Sequence, residues 1–166
     1  MRAVADSGPL VHLAAVNQFG LLRHYFSHLL VPPAVFAEVV QAGQGRPGSQ
    51  ETQEAQRSEF LSLAHPYPSR VATLLQQGMT PTDAQVVALA QENPDHLLLA
   101  DDLTVRITAL ALGMSVFGTI GILIQGKRDG HLPSLKAALD QLIVTGFHLD
   151  PHGALYAEAL HRAGES

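Results

Sequence analysis

Cysteine is absent from the 166 residues. Without thiols there is no disulfide framework, no thiolate metal site and no thiol redox chemistry, and the composition fits a reducing compartment such as the cytoplasm. Charge is also scarce: charged residues make up 15% of the chain while apolar residues reach 46%, which excludes whole-chain disorder. Cations are scarcest, with ten Lys plus Arg against fifteen Asp plus Glu and a formal charge of −5. That balance argues against a protein that holds nucleic acid through a broad basic surface. An acidic chain can still handle a polyanion when carboxylates gather around Mg²⁺ or Mn²⁺, because the ion reverses the sign of the local field.

Long apolar runs are nearly missing as well. Only residues 107–126, between Arg106 and Lys127, approach the roughly 20 residues of a membrane span. Gly113, Ser115, Gly118, Thr119 and Gly121 break that run into a helix end, a short strand and a new helix start, so no membrane segment is expected. The opening MRAVADSG places Asp6 and Gly8 where a secretory signal would carry its apolar stretch. Neither G-x-G-x-x-G nor G-K-[ST] follows a strand, which removes the common nucleotide-binding loops. A receiver domain needs its acid pair after the first strand and a lone acid later; here that order is reversed.

What is present is an alternation of short apolar strands and helices. RAVAD reads as a buried strand and SGPLVHLAAV as a helix, with another helical piece at Gly20 to Ser27. HLLVP and PAVFAEVVQAG give strand then helix, stopped near Gly43. Residues 43–58 are polar and glycine-rich and read as a mobile loop or the start of a polar helix. FLSLAHP suggests an edge strand, SRVATLLQQG a helix capped by Ser69, and TPTDAQVVALAQEN a helix with Thr80 as cap, Pro81 first and Asp83 third. HLLLADD, LTVRITALALG and MSVFG continue as strand, helix, strand, and three further helical segments follow, the last two in an extension over residues 133–166. The whole chain reads as a single α/β domain over residues 1–166, a doubly wound parallel sheet with helices on both faces and additional C-terminal helices.

In such sheets ligands bind beyond the carboxyl ends of the strands, where Asp6 and the Asp101–Asp102 pair fall. Glu38, in the helix after the second strand, and Asp83, in the first turn of the helix before the acidic strand, can lean towards the same edge. Together they offer the oxygen-only ligands that Mg²⁺ and Mn²⁺ select. Each has a plainer reading. Asp83 and Asp102 favour helix starts, Glu38 suits a solvated face, and only Asp6 lacks an ordinary duty. Arg106, four residues after Asp102, reads first as its salt-bridge partner and second as a phosphate contact. His24 and His28 share an i, i+4 spacing without the glutamate of a zinc-binding HExxH pattern.

The segments ADSGPLVHLA, LVPPAVFAEVV, PTDAQVVALA, LLLADDLTVRITALALGMSVFGTIGILI and GFHLDP together resemble the PIN-domain family, most of all its stand-alone prokaryotic members. The resemblance covers nearly the whole chain, with residues 43–70 matched least. It maps Asp6, Glu38 in V-P-x-x-V-x-x-E, Asp83 and Asp101 onto the family's catalytic acids, with Asp6, Asp83, Asp101 and Asp102 as metal ligands and Ser7 and Thr119 in support. It implies Mg²⁺- or Mn²⁺-dependent hydrolysis of single-stranded RNA, as in VapC-type toxins, which commonly form homodimers and pair with a small antitoxin. Two positions depart from the pattern: Gly8 replaces a small polar residue, and Gly118–Thr119 stand where an acid usually follows the last strand. These departures motivate a second reading, a catalytically silent module that binds RNA or a protein partner.

Overall fold

The computed structural model describes residues 1–165. Its centre is a five-stranded, all-parallel sheet in the order β3-β2-β1-β4-β5, formed by β1 (Arg2–Ala5), β2 (His28–Val31), β3 (Leu61–Leu63), β4 (Leu97–Leu99) and β5 (Val116–Phe117). The strands are short and dominated by Val, Leu and Ala. Ala3, Val4, Leu29, Leu98 and Leu99 are almost wholly buried, the pattern expected when a sheet is covered on both faces. β1 is the pivot: Val4 pairs with Leu30 on one side and with Leu98 on the other. The chain winds outward from β1 in both directions, so the topological switch lies at the carboxyl ends of β1 and β4.

The helices are α1 (Ser7–Ala15), α2 (Gly20–Tyr25), α3 (Pro33–Phe36), α4 (Ser49–Arg57), α5 (Pro68–Gln76), α6 (Pro81–Glu92), α7 (Leu103–Ala111), α8 (Thr119–Arg128), α9 (Leu135–Val144) and α10 (Ala154–Arg162). Helix α3 runs straight into a π-helical stretch, Ala37–Ala42, which carries Glu38. Packing divides the helices into two groups, α2, α4, α9 and α10 gathered around α1 and α8, and α3, α5 and α7 gathered around α6. This is the doubly wound arrangement that the alternating sequence implies. The C-terminal helices are tied down by Glu165, which accepts hydrogen bonds from the backbone N–H groups of Leu135 and Lys136 at the start of α9 and pairs with Lys127 at 3.2 Å.

Two local expectations are corrected and a third is met. The polar stretch after Gly43 is a helix from Ser49 onward, with Thr52 and Ala55 wholly buried, so the loop reading gives way there to the polar-helix one. Helix α5 is opened by Pro68 with Tyr67 as its cap, not by Ser69, because proline at the first position needs no N–H partner. Residues 107–126 are divided among α7, β5 and α8, and among the described residues no helix is long and apolar enough to cross a membrane.

Thr52 carries a stability prediction. Its hydroxyl is fully buried, and among the described residues no hydrogen-bond partner reaches it. An unsatisfied buried hydroxyl costs about 1–3 kcal/mol, whereas valine has nearly the same shape and no polar atom. Thr52→Val is expected to stabilise the fold by about 1 kcal/mol, raising the thermal midpoint by roughly 2–4 °C. Thermal unfolding of the two proteins side by side checks it; an unchanged or lower midpoint refutes the account.

Candidate active site

The site is built where β1 and β4 end side by side. The Asp6 N–H still donates to the Leu99 carbonyl at 2.9 Å, so the residue closes the β1–β4 ladder before the chain turns into α1. Its carboxylate caps that helix, Oδ1 accepting from Ser7 N at 2.8 Å, which gives Asp6 the structural duty that sequence reasoning did not find for it. The Ser7 hydroxyl lies 3.4 Å from both Asp6 Oδ1 and Glu38 Oε1 and so bridges two of the acids. Glu38 reaches this position from the π-helical stretch after β2.

Asp83 enters from the first turn of α6. Thr80 Oγ1 accepts from the Asp83 N–H at 3.3 Å, which is the predicted cap. Asp102 is the N-cap of α7, with Oδ1 accepting from Val105 N at 3.0 Å. Asp6, Ser7, Glu38, Asp83 and Asp102 all line one open pocket of about 610 Å³, together with Asp101, His12 and the Gly146–His148 segment that precedes α10.

The electrostatics separate these acids into two kinds. Asp6 is buried, and its pKa is pushed up from 3.8 to about 6. Desolvation is the main cause, the Ser7 N–H opposes it, and the charges of Asp83, Glu38 and Asp102 add to the rise. Asp83 is raised as well, chiefly by desolvation, with Asp102 contributing and Thr80 opposing. Among the described residues no Lys, Arg or His pairs with Asp6, Glu38, Asp83 or Asp102. These acids repel one another without a cation between them.

Asp101 behaves in the opposite way. Its Oδ1 accepts from Thr119 N at 2.7 Å, and its Oδ2 accepts from Thr119 Oγ1 at 2.6 Å and lies 2.8 Å from His12 Nδ1. Burial alone would raise its pKa, but the His12 and Thr119 hydrogen bonds outweigh it and hold the carboxyl below its ordinary value. Most of its acceptor capacity is spent within the protein.

The two departures from the family pattern find their reason here. A Cβ on Gly8 would sit 3.1 Å from Asp101 Oδ2, and one on Gly118 would sit 3.0 Å from Asp101 Oδ1 and 2.9 Å from Arg106 Nη1. Both glycines make room for a carboxylate locked between α1 and α8. Thr119, buried at the start of α8, is the residue that locks it.

One expectation about side-chain pairing fails. Arg106 does not bridge to Asp102; it donates to the Ala100 carbonyl at 2.9 Å, while Asp102 turns back to cap its own helix. His24 and His28 lie on α2 and β2, where His24 stacks on His131 and His28 meets Ser62, so their spacing is not helical and offers no shared ion.

The residue that sequence reasoning missed is His12. It was one scattered histidine among nine. Its only signal was position, within two turns of the start of a helix that begins at the sheet's carboxyl edge.

Among the described residues no three His, Asp or Glu side chains converge tightly enough to grip an ion as they stand. The acids face one space without meeting at one point. Comparison with curated proteins finds no match. A family model, DUF3368, described as a PIN domain, matches residues 2–165, and the chain therefore belongs to the PIN-domain family.

Proposed function

We propose that the chain is a metal-dependent endoribonuclease that hydrolyses phosphodiester bonds of single-stranded RNA. The observation that carries this reading is the uncompensated acidic group: Asp6, raised to about 6, crowded by Asp83, Glu38 and Asp102 and, among the described residues, without a cationic partner. Oxygen-only donors of this kind suit Mg²⁺ or Mn²⁺. Asp6, Glu38, Asp83 and Asp102 would hold the ion, with the Ser7 hydroxyl beside them, and Asp101 takes a separate role because its oxygens are already engaged. When bound, the ion supplies charge neutralisation at the phosphate and an acidified water.

A neighbouring groove of about 420 Å³ supports a strand path. It shares Asp101, Phe147 and His148 with the acidic pocket and is lined by Arg106, Arg162 and the partly exposed Phe117. Two guanidinium groups and two aromatic rings are what phosphates and unstacked bases need.

The reading extends to a VapC-type toxin working in the cytoplasm, held by a small antitoxin and forming a homodimer. The apolar stripe Leu103, Ile107 and Leu110, exposed along α7, supports a protein contact of that sort.

The test is incubation of labelled single-stranded RNA with the protein in Mn²⁺, Mg²⁺ or EDTA, with Asp6→Asn and Asp83→Asn run in parallel. Cutting that needs the ion and falls by about a hundredfold or more in both variants is expected. The second reading, a silent module that binds RNA or a protein, is favoured by the lack of convergence among the acids. It would be adopted if calorimetric titration with Mn²⁺ gave no heat and no RNA were cut above the variants' background.

A further inference from the structure

The pocket contains a pair of groups that the acidic reading leaves unused. His12, on α1, places Nδ1 2.8 Å from Asp101 Oδ2, and Asp101 is itself fixed by the Thr119 N–H and hydroxyl. The imidazole also meets the edge of Phe147, with ring centroids 4.8 Å apart at 88°. Helix α1, an acid anchored on α8 and an aromatic from the C-terminal segment therefore hold the ring. Because Asp101 can only accept while it is ionised, Nδ1 carries the hydrogen in that contact, and the neutral ring keeps its lone pair on Nε2. Among the described residues nothing in the chain bonds Nε2, and His12 lines the pocket that contains Asp6, Glu38, Asp83 and Asp102. An acid that fixes a histidine tautomer beside a reaction pocket is the arrangement by which hydrolases hold a general base.

We propose that His12 is a catalytic residue, the base that takes a proton from the attacking water, and that Asp101 is its positioning residue. The proposal rests on the nuclease reading. In the step, the water oxygen forms the new bond to phosphorus and one water proton passes to Nε2. The bond between phosphorus and the departing sugar oxygen breaks with its electron pair on that oxygen, which takes a proton from solvent. The imidazolium is stabilised by Asp101 and later returns its proton to solvent. The groups that face His12 are Asp101 from the end of β4, Thr119 behind it on α8, Phe147 and His148 from the C-terminal segment, and the four other acids across the pocket.

Wild type, His12→Ala, Asp101→Asn and Asp6→Asn would be assayed on labelled single-stranded RNA in Mn²⁺ at pH 7.5, with thermal unfolding as a control for folding. For His12→Ala we expect kcat to fall about a hundredfold or more with KM little changed. Added imidazole should restore part of the rate, and the heat of Mn²⁺ binding should stay as in wild type. Asp101→Asn should lower kcat less, and ¹⁵N spectra of the His12 ring should lose their preference for Nδ1–H. Wild-type rates in His12→Ala, with Asp6→Asn dead, would overturn the proposal and leave the nuclease intact. A folded His12→Ala whose loss lies in KM and ignores imidazole would also overturn it. No cutting by wild type would remove the nuclease reading and the proposal together.

Discussion

Asp6→Asn is expected to abolish RNA cutting and, in the absence of divalent metal, to make the protein more stable at neutral pH. The two effects share a cause. Asp6 is 4% exposed and its pKa is raised from 3.8 to about 6, so ionising it inside the fold is harder than in the unfolded chain. The sign follows from proton counts. Between about pH 4 and pH 6 the native state holds a proton that the unfolded state has released, so stability falls as pH rises through that window. Above it the full penalty is present, on the order of 2–3 kcal/mol. Asparagine removes the charge and keeps the cap, since its amide oxygen can still accept from Ser7 N and Asn ranks with Asp at that position.

Thermal unfolding with EDTA at pH 7.5 should therefore place Asp6→Asn above wild type, with the gap closing near pH 4. Mn²⁺ should narrow the gap at pH 7.5, because an ion that binds only the native state stabilises wild type by mass action. A variant less stable than wild type at pH 7.5 would show that Asp6 serves the fold and not a cation.

The sheet was legible because short Val-, Leu- and Ala-rich strands separated by capped helices leave few alternatives, and strands ending in acids pointed to the sheet edge where those acids line one pocket. The grouping of the acids was legible only in part. Asp6, Asp83 and Asp102 could be placed near one another because each sits at the end of an element, and Glu38 because it lies early in the helical segment after β2. That Asp101 stands apart depends on Thr119, 18 residues on, and His12, 89 residues back, and no local pattern connects them. The same distance hid the meaning of Gly8 and Gly118: each looked like a lost side chain until the carboxylate pressed against it was in view. The Asp102–Arg106 pairing failed because a spacing of four permits a salt bridge but does not decide between that and a cap. The backbone N–H of Val105 was the nearer partner.

Asp101→Ala is expected to be the most destabilising single change in the pocket, by about 3 kcal/mol or more. It strands the Thr119 N–H, the fully buried Thr119 hydroxyl and the His12 Nδ1–H, and donors left without partners in a buried setting cost about 1–3 kcal/mol each. The pH dependence runs opposite to that of Asp6. Asp101 has a folded pKa below 3.8, so its contribution is complete above the unfolded value and is lost as pH falls through the lower folded one. The gap between wild type and Asp101→Ala should thus persist above about pH 5 and shrink below pH 4, as read by denaturant unfolding at each pH. Two neighbouring carboxylates then shape one curve: wild-type stability without metal rises as pH drops from 7 towards about 4.5 while Asp6 takes up its proton, and falls below that as Asp101 does. An Asp101→Ala protein as stable as wild type would mean that the Thr119 and His12 contacts hold nothing in place. The assignment of His12 as a positioned base would then lose its structural support.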